Sequence, residues 1–128
     1  MTLQLSKHAY TFYMMYLLKT NDLAREFERS GGFEIFSRLL DTDCTVDHQV
    51  AYNVIAALWI VSYHPFALKR FEDFQLEIIE RAVKVLDYFN KEKIVRAVLL
   101  LLDNLKMASA ACHEVMSDIG VLNTIIKL

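Results

Sequence analysis

Histidine, cysteine and carboxylate side chains are the residues here that could ligate a metal, activate a nucleophile or move a proton, and none recurs at a spacing that assembles such chemistry. Asp41-Thr42-Asp43 followed by Asp47 has the alternation with which carboxylates ring a hard cation. In that template Val46 stands where the sharp turn needs glycine, and Tyr52 where a bidentate glutamate is required. The stretch therefore reads as a solvated connector whose last residue, Asp47, caps the following helix. His8, His48, His64 and His113 never stand four apart around a glutamate, which removes the zinc-hydrolase pattern. Neither Cys44 nor Cys112 has a CxxC companion. Cys112 and His113 are adjacent, but successive helical residues diverge by about 100 degrees, too far for a nucleophile to face its base. With no glycine-rich loop to cradle phosphate either, the expectation is a non-enzymatic chain without a catalytic, metal or cofactor site.

A surface is the alternative way for such a chain to act. On three long helical stretches, the positions facing away from the main apolar stripe are His8 and Met15, then His48, Tyr52, Trp59 and Tyr63, then Glu92, Arg96 and Asp103, with Lys91 and Lys93 beside Glu92. Together they form a candidate partner-binding groove, aromatic in the middle and charged at one side. An aromatic row at helical spacing more often packs on its own chain, so a core role for Tyr52, Trp59 and Tyr63 stands beside the groove reading.

The element that positions the aromatic part is His48 to Tyr63. Val50, Val54, Ala57, Leu58 and Val61 make one stripe, and the opposite side carries rings where a surface helix would carry charge. The run stops short of the roughly 20 apolar residues needed to span a bilayer and contains His, Gln, Asn and Ser, so it reads as a helix buried between neighbours. Those neighbours are copies of itself at a step of 44 residues: Tyr10, Val54 and Val98 correspond, as do Met14, Leu58 and Leu102, and Leu17, Val61 and Leu105. The register continues through Phe27, Phe71 and Val115, and through Gly32, Leu76 and Gly120. A period of about 40–47 residues marks HEAT and armadillo arrays, in which stacked repeats supply each other's core. The expected fold is all-α, an armadillo/HEAT-like α-solenoid forming one domain over 1–128, with a partial repeat 1–20, repeats 21–64 and 65–107, and a partial repeat 108–128.

Within that frame the first helix is expected over Leu3 to Lys19, with Tyr10, Met14 and Leu17 inward. Asn21 or Asp22 caps a short helix that ends at Gly31-Gly32, and Phe33 to Leu40 follows. Pro65, at a first helical position where its missing N–H is harmless, opens a segment to Phe74; Gln75 to Phe89 and Asn90 to Lys106 complete that repeat. A short helix to about Ser117 and a last one from Val121 to Leu128 flank Gly120. Such an array begins mid-repeat and reads as a piece of a longer protein, whose uncovered repeat ends are expected to self-associate.

Composition agrees. Hydrophobic residues make up 55% against 23% charged, too apolar for disorder, and three Gly with one Pro leave few sharp turns. A net charge of −2 offers no broad footprint for nucleic acid. Thr2 to Lys7 is polar and mixed rather than a signal peptide, so a cytosolic compartment with reduced thiols is expected.

Gln49, Ala51-Tyr52-Asn53 and Leu58-Trp59-Ile60-Val61-Ser62-Tyr63-His64-Pro65, followed about 25 residues on by Lys91-Glu92-Lys93-Ile94-Val95-Arg96 and then Asn104-Leu105, carry a family resemblance. They are similar to the H subunit of the vacuolar proton-pumping ATPase, which has a tyrosine-rich helix running into a Leu-Trp-Leu-Leu-x-Phe-x-Pro type sequence, then Lys-Glu-Lys-Val-x-Arg and Arg-Asn-Leu. The likeness begins near Tyr13-Met14-Met15-Tyr16-Leu17-Leu18 and weakens after Lys106, with Asp103 standing where an Arg or Phe is usual. The resemblance implies the last part of a large armadillo-type domain that precedes a smaller helical one. It further implies a non-catalytic component that joins the catalytic sector of the pump to its stator and membrane sector, couples ATP hydrolysis to proton transport, and silences hydrolysis when that sector is detached. The implied partners are other subunits of the pump. The implied location is cytoplasmic, peripheral on the cytosolic face of vacuolar or endosomal membranes, without insertion.

The rival is a generic armadillo adaptor holding a peptide or helix in its concave groove. Import receptors of that kind repeat a Trp and, four residues later, an Asn along their third helices. The equivalent positions here are Phe12, Ala56 and Leu100 for Trp, and Tyr16, Ile60 and Asn104 for Asn, so the ladder is missing.

Overall fold

The helical spacing of the apolar residues resolves, in a computed structural model that describes residues 3–42 and 44–106 with Glu114 and Ser117, into seven α-helices and no strand among the described residues. They are α1 (Leu3–Leu17), α2 (Asn21–Arg29), α3 (Gly32–Thr42), α4 (His48–Val61), α5 (Pro65–Asp73), α6 (Gln75–Val85) and α7 (Glu92–Lys106). Asp43, Cys112, His113, Val115, Gly120 and the segments expected over 108–128 lie outside the described residues, apart from Glu114 and Ser117.

Asp47 sets where α4 begins. Its backbone is extended, and its carboxylate accepts from the N–H groups of Gln49 at 2.8 Å and Val50 at 3.2 Å, satisfying two donors that the first helical turn leaves open. Asp41 of the calcium-like stretch lies 3.7 Å from Arg81 Nε. Pro65 stands at the start of α5 as its geometry dictates. Between α2 and α3 the chain turns through Gly31 at φ +80, a left-handed conformation that a side chain would strain.

Several boundaries differ from the periodicity. α2 starts at Asn21, so neither Asn21 nor Asp22 is its cap; that position is Thr20, whose hydroxyl instead donates back to the Leu17 carbonyl at 3.1 Å. α3 runs to Thr42 rather than Leu40, α6 stops at Val85 rather than Phe89, and α7 starts at Glu92 rather than Asn90. After Val85 the chain tightens into three-residue turns, with Leu86, Asp87 and Tyr88 bonding back to Val83, Lys84 and Val85, all at 3.0 Å.

α4 is the centre, packed on α1 along one side and on α7 along the other; α3 packs on α6, and α2 on α5. Val50, Val54, Ala57, Leu58 and Val61 are fully buried, as are Ile94, Val98, Leu101 and Leu105 of α7. Each large aliphatic side chain so enclosed contributes about 1.5–3 kcal/mol over its exposed state. Phe33 meets Phe27 at 5.4 Å and Phe71 at 5.0 Å, joining α3 to both short helices through edge-to-face rings. No helix of the described residues is long and apolar enough to cross a membrane.

α1 departs from the expected inward set. Tyr10 is 41% and Leu17 43% exposed, Met14 is half-buried, and Thr11 and Leu18 take the buried places. The reason is placement: α1 leans on α4, so its flank toward α2 and α3 is left as an open recess of about 210 Å3 between Tyr10, Met14, Leu17, Leu23, Phe27 and Ile35. Partial burial there pushes the Tyr10 phenol above its ordinary pKa.

Gly32 is a test of the tight aromatic corner. A Cβ at this position would sit 2.3 Å from two ring carbons of Phe27, a ring held by Phe33 and by Phe36 at 5.0 Å. Overpacking costs about 1–3 kcal/mol, whereas the helix-propensity gain over glycine is at most about 1 kcal/mol and smaller in a first turn. Gly32→Ala is therefore expected to lower the urea midpoint of unfolding; an unchanged midpoint would show that the Phe27 ring can step aside.

Candidate partner-binding surface

The buried polar residues between the long helices explain how the strip is positioned. Asn53, 1% exposed, donates from Nδ2 to Thr11 Oγ1 of α1 at 3.2 Å and accepts at Oδ1 from Gln49 Nε2 at 2.9 Å. Gln49 Oε1 accepts in turn from Lys93 Nζ of α7 at 2.9 Å, and Thr11 donates to the His8 carbonyl at 3.3 Å. One run of hydrogen bonds thus crosses α7, α4 and α1. A second set ties the other end: Asn104 Nδ2 donates to Ser62 Oγ at 2.8 Å, Ser62 to the Trp59 carbonyl at 2.5 Å, and the His64 ring, through Nε2, to the Leu18 carbonyl at 2.8 Å. Arg81 fastens α6 to α3 by donating to both the carbonyl and the hydroxyl of Ser37 at 2.8 Å.

On this frame the strip residues fall into pairs. Lys93 Nζ lies 4.8 Å over the Tyr52 ring, a cation–π contact between α7 and α4. Lys91 Nζ donates to His48 Nε2 at 3.3 Å, and the His48 ring meets Phe89 edge-on at 6.1 Å. Trp59 is half-buried against the core with Tyr63 edge-on at 5.7 Å, while Tyr63 itself is 63% exposed. Glu92 and Arg96 pair along α7, as do Asp103 and Lys106 at 3.1 Å. Met15 is half-buried on the core, and His8 is drawn to Asp47, 2.6 Å from Nε2 to Oδ2, at the head of α4.

Lys91 is accordingly brought to His48 and Lys93 to Tyr52, Trp59 and Tyr63 form a separate aromatic pair, and Asp103 pairs with Lys106. Two polar atoms in this region, Trp59 Nε1 and His48 Nδ1, are enclosed with no hydrogen-bond partner among the described residues. On α7, Glu92, Arg96 and Asp103 rim an open recess of about 390 Å3 over Val95, Leu99 and Leu100, of which sequence reasoning did not single out Val95 and Leu99 although they stand one turn apart. The amide of Asn104, the single match to an asparagine ladder, is used internally on Ser62. No group of three or more His, Cys, Asp and Glu able to hold a metal ion occurs among the described residues.

The sequence model of the family described as the V-ATPase H subunit matches residues 2–128. Neither a curated protein nor a solved structure matches the chain.

Trp59 and Cys44 differ in what their removal exposes. Trp59→Ala should cost about 2–3 kcal/mol of unfolding free energy, below the 3–5 kcal/mol of a fully enclosed ring because one side already meets solvent. Cys44→Ala should cost less, since the fully buried thiol is a small volume. Denaturant titration of both variants checks the order, and a Trp59→Ala protein as stable as the parent would take the indole out of the packing.

Proposed function

The chain belongs to the V-ATPase H-subunit family, and on that premise we propose that it works as a non-catalytic regulatory and scaffolding part of a vacuolar-type proton-pumping ATPase. In this reading it couples ATP hydrolysis to proton transport and bridges the catalytic and membrane sectors, with other subunits of the pump as partners, from the cytosolic face of vacuolar or endosomal membranes. The observation that carries the reading is the family match across almost the whole chain.

The architecture proposed for that work is an armadillo-type α-solenoid of about 44-residue repeats within a single domain. Supporting it, the helices that pack side by side are those in corresponding places, α1 with α4 and α4 with α7, α2 with α5, and α3 with α6. Lateral hydrogen bonds join Ser37 to Arg81 and Gln49 to Lys93, each pair 44 residues apart. The strip of His8, Met15, His48, Tyr52, Trp59, Tyr63, Lys91, Glu92, Lys93, Arg96 and Asp103 is the proposed partner-binding groove, and the exposed Tyr63 edge-on to Trp59 supports that role.

Reversing Lys91, Lys93 and Arg96 to Glu tests the groove within the assembled pump. All three side chains are exposed, so their ion pairs and hydrogen bonds should account for no more than about 1 kcal/mol each, and the melting temperature should fall only slightly. Binding to the catalytic sector, followed by co-sedimentation, should weaken most at low salt, where charge steering is strongest. Assembly with an unaltered salt dependence would exclude this edge from docking; failure of the unmodified polypeptide to associate with any component of the pump would overturn the functional reading itself. The open recess beside Tyr10 and Leu17 is also the proposed route of self-association, expected as a rising sedimentation coefficient with concentration. A monomer at every concentration would remove that proposal.

A further inference from the structure

Between α2 and α5, away from the strip, lies a recess of about 350 Å3 whose lining carries four cations, Arg25 and Arg29 one turn apart on α2 and Lys69 and Arg70 on α5. Arg70 is already committed. It donates to Glu34 at 2.7 Å and to Asp73 at 3.2 Å, and its Nε lies 3.1 Å from Glu28 Oε1 as an ion-pair contact without hydrogen-bond alignment. The two carboxylates of the lining, Glu28 and Asp73, are therefore both held by this one guanidinium. Arg25, Arg29 and Lys69 make no ion pair among the described residues and are exposed. Arg25 is nevertheless held in place, its guanidinium 4.6 Å over the Phe66 ring. A guanidinium held over a ring in this way still has N–H donors to offer a carboxylate and has less side-chain freedom left to lose on binding.

We propose that the recess between α2 and α5 is a docking site for an acidic segment of a partner protein, held by Arg25, Arg29 and Lys69. Three cations without an ion pair among the described residues, contributed by two helices to one depression, suit carboxylates that follow one another along a chain, and Phe66 in the same lining offers an apolar contact between them. The internal carboxylates do not compete, because Arg70 occupies them. This surface is separate from the strip on α4 and α7 and does not depend on the pump reading.

The test is fluorescence anisotropy of a labelled oligoglutamate peptide with the full chain at low and moderate salt. The double variant Arg25→Gln, Lys69→Gln should bind roughly tenfold more weakly, as expected when two charge-assisted contacts are removed. The conservative variant Lys69→Arg, which leaves Arg25 in place, should keep most of the affinity, which guards against loss through misfolding. Arg38→Gln, Lys84→Gln, which removes two exposed cations from α3 and α6, should leave binding unchanged. Equal loss in that control would overturn the proposal by showing a general charge effect, as would absence of peptide binding at low salt. Binding to phosphatidylserine vesicles but not to the peptide would overturn it in favour of a lipid surface.

Discussion

The carboxamide of Asn53 sits between two helices with almost no exposure to solvent, and everything on the long-helix side of the molecule is arranged so that it is satisfied. An amide left there without partners would cost about 1–3 kcal/mol, comparable to burying a large aliphatic side chain. Apolar stripes of Val, Ala and Leu resist separation but tolerate sliding, because burial is non-directional. The hydrogen bond from Asn53 to Thr11 holds only at one register of α1 on α4, Gln49 supports Asn53 from within α4, and the exposed Lys93 adds a weaker tie from Gln49 to α7. Arg81 acting on Ser37 does this for α6 on α3.

Registering the helices this way also decides which surfaces are free. Around the strip, most polar groups are answered inside the chain: Lys93 by Gln49 and Tyr52, Lys91 by His48, Arg96 by Glu92, Asp103 by Lys106. What that side offers a partner is mainly aromatic, with charge at the margin. Between α2 and α5 the allocation is reversed, since Arg70 gathers Glu28, Glu34 and Asp73 and leaves Arg25, Arg29 and Lys69 without an ion pair among the described residues. Among the described residues a chain of net charge −2 thus shows a face dominated by rings and a local concentration of cations without ion pairs.

Much of this is visible in residue order. The burial of Val50, Val54, Leu58 and Val61, the cap at Asp47, the left-handed turn at Gly31 and the helix start at Pro65 all follow from spacing within a few residues, where local sterics and hydrogen bonding act alone. The correspondence of Val54 with Val98 likewise anticipates two buried positions. It fails at Tyr10 and Leu17, because burial of a helix flank depends on whether another helix stands against it, and α1 rests on α4 instead of closing over α2 and α3. Thr20, too, turns its hydroxyl to the end of α1 and leaves the cap of α2 unmade, a choice between two nearby partners that composition does not rank.

The strip divides along the same line. That Tyr52, Trp59 and Tyr63 share the less buried side of α4 and its C-terminal end is a matter of period, and holds for any helix with this order of residues. That Tyr52 meets Lys93 while Trp59 meets Tyr63, or that Arg25 lies over Phe66 about 40 residues away, is not readable from order. The contacts of Tyr52 and Arg25 join side chains on different helices, and their distances are set by how the backbones are registered against one another. Local periodicity specifies each helix and its apolar face; the directional bonds of Asn53, Ser62 and Arg81 between helices select which of those faces meet and which remain open.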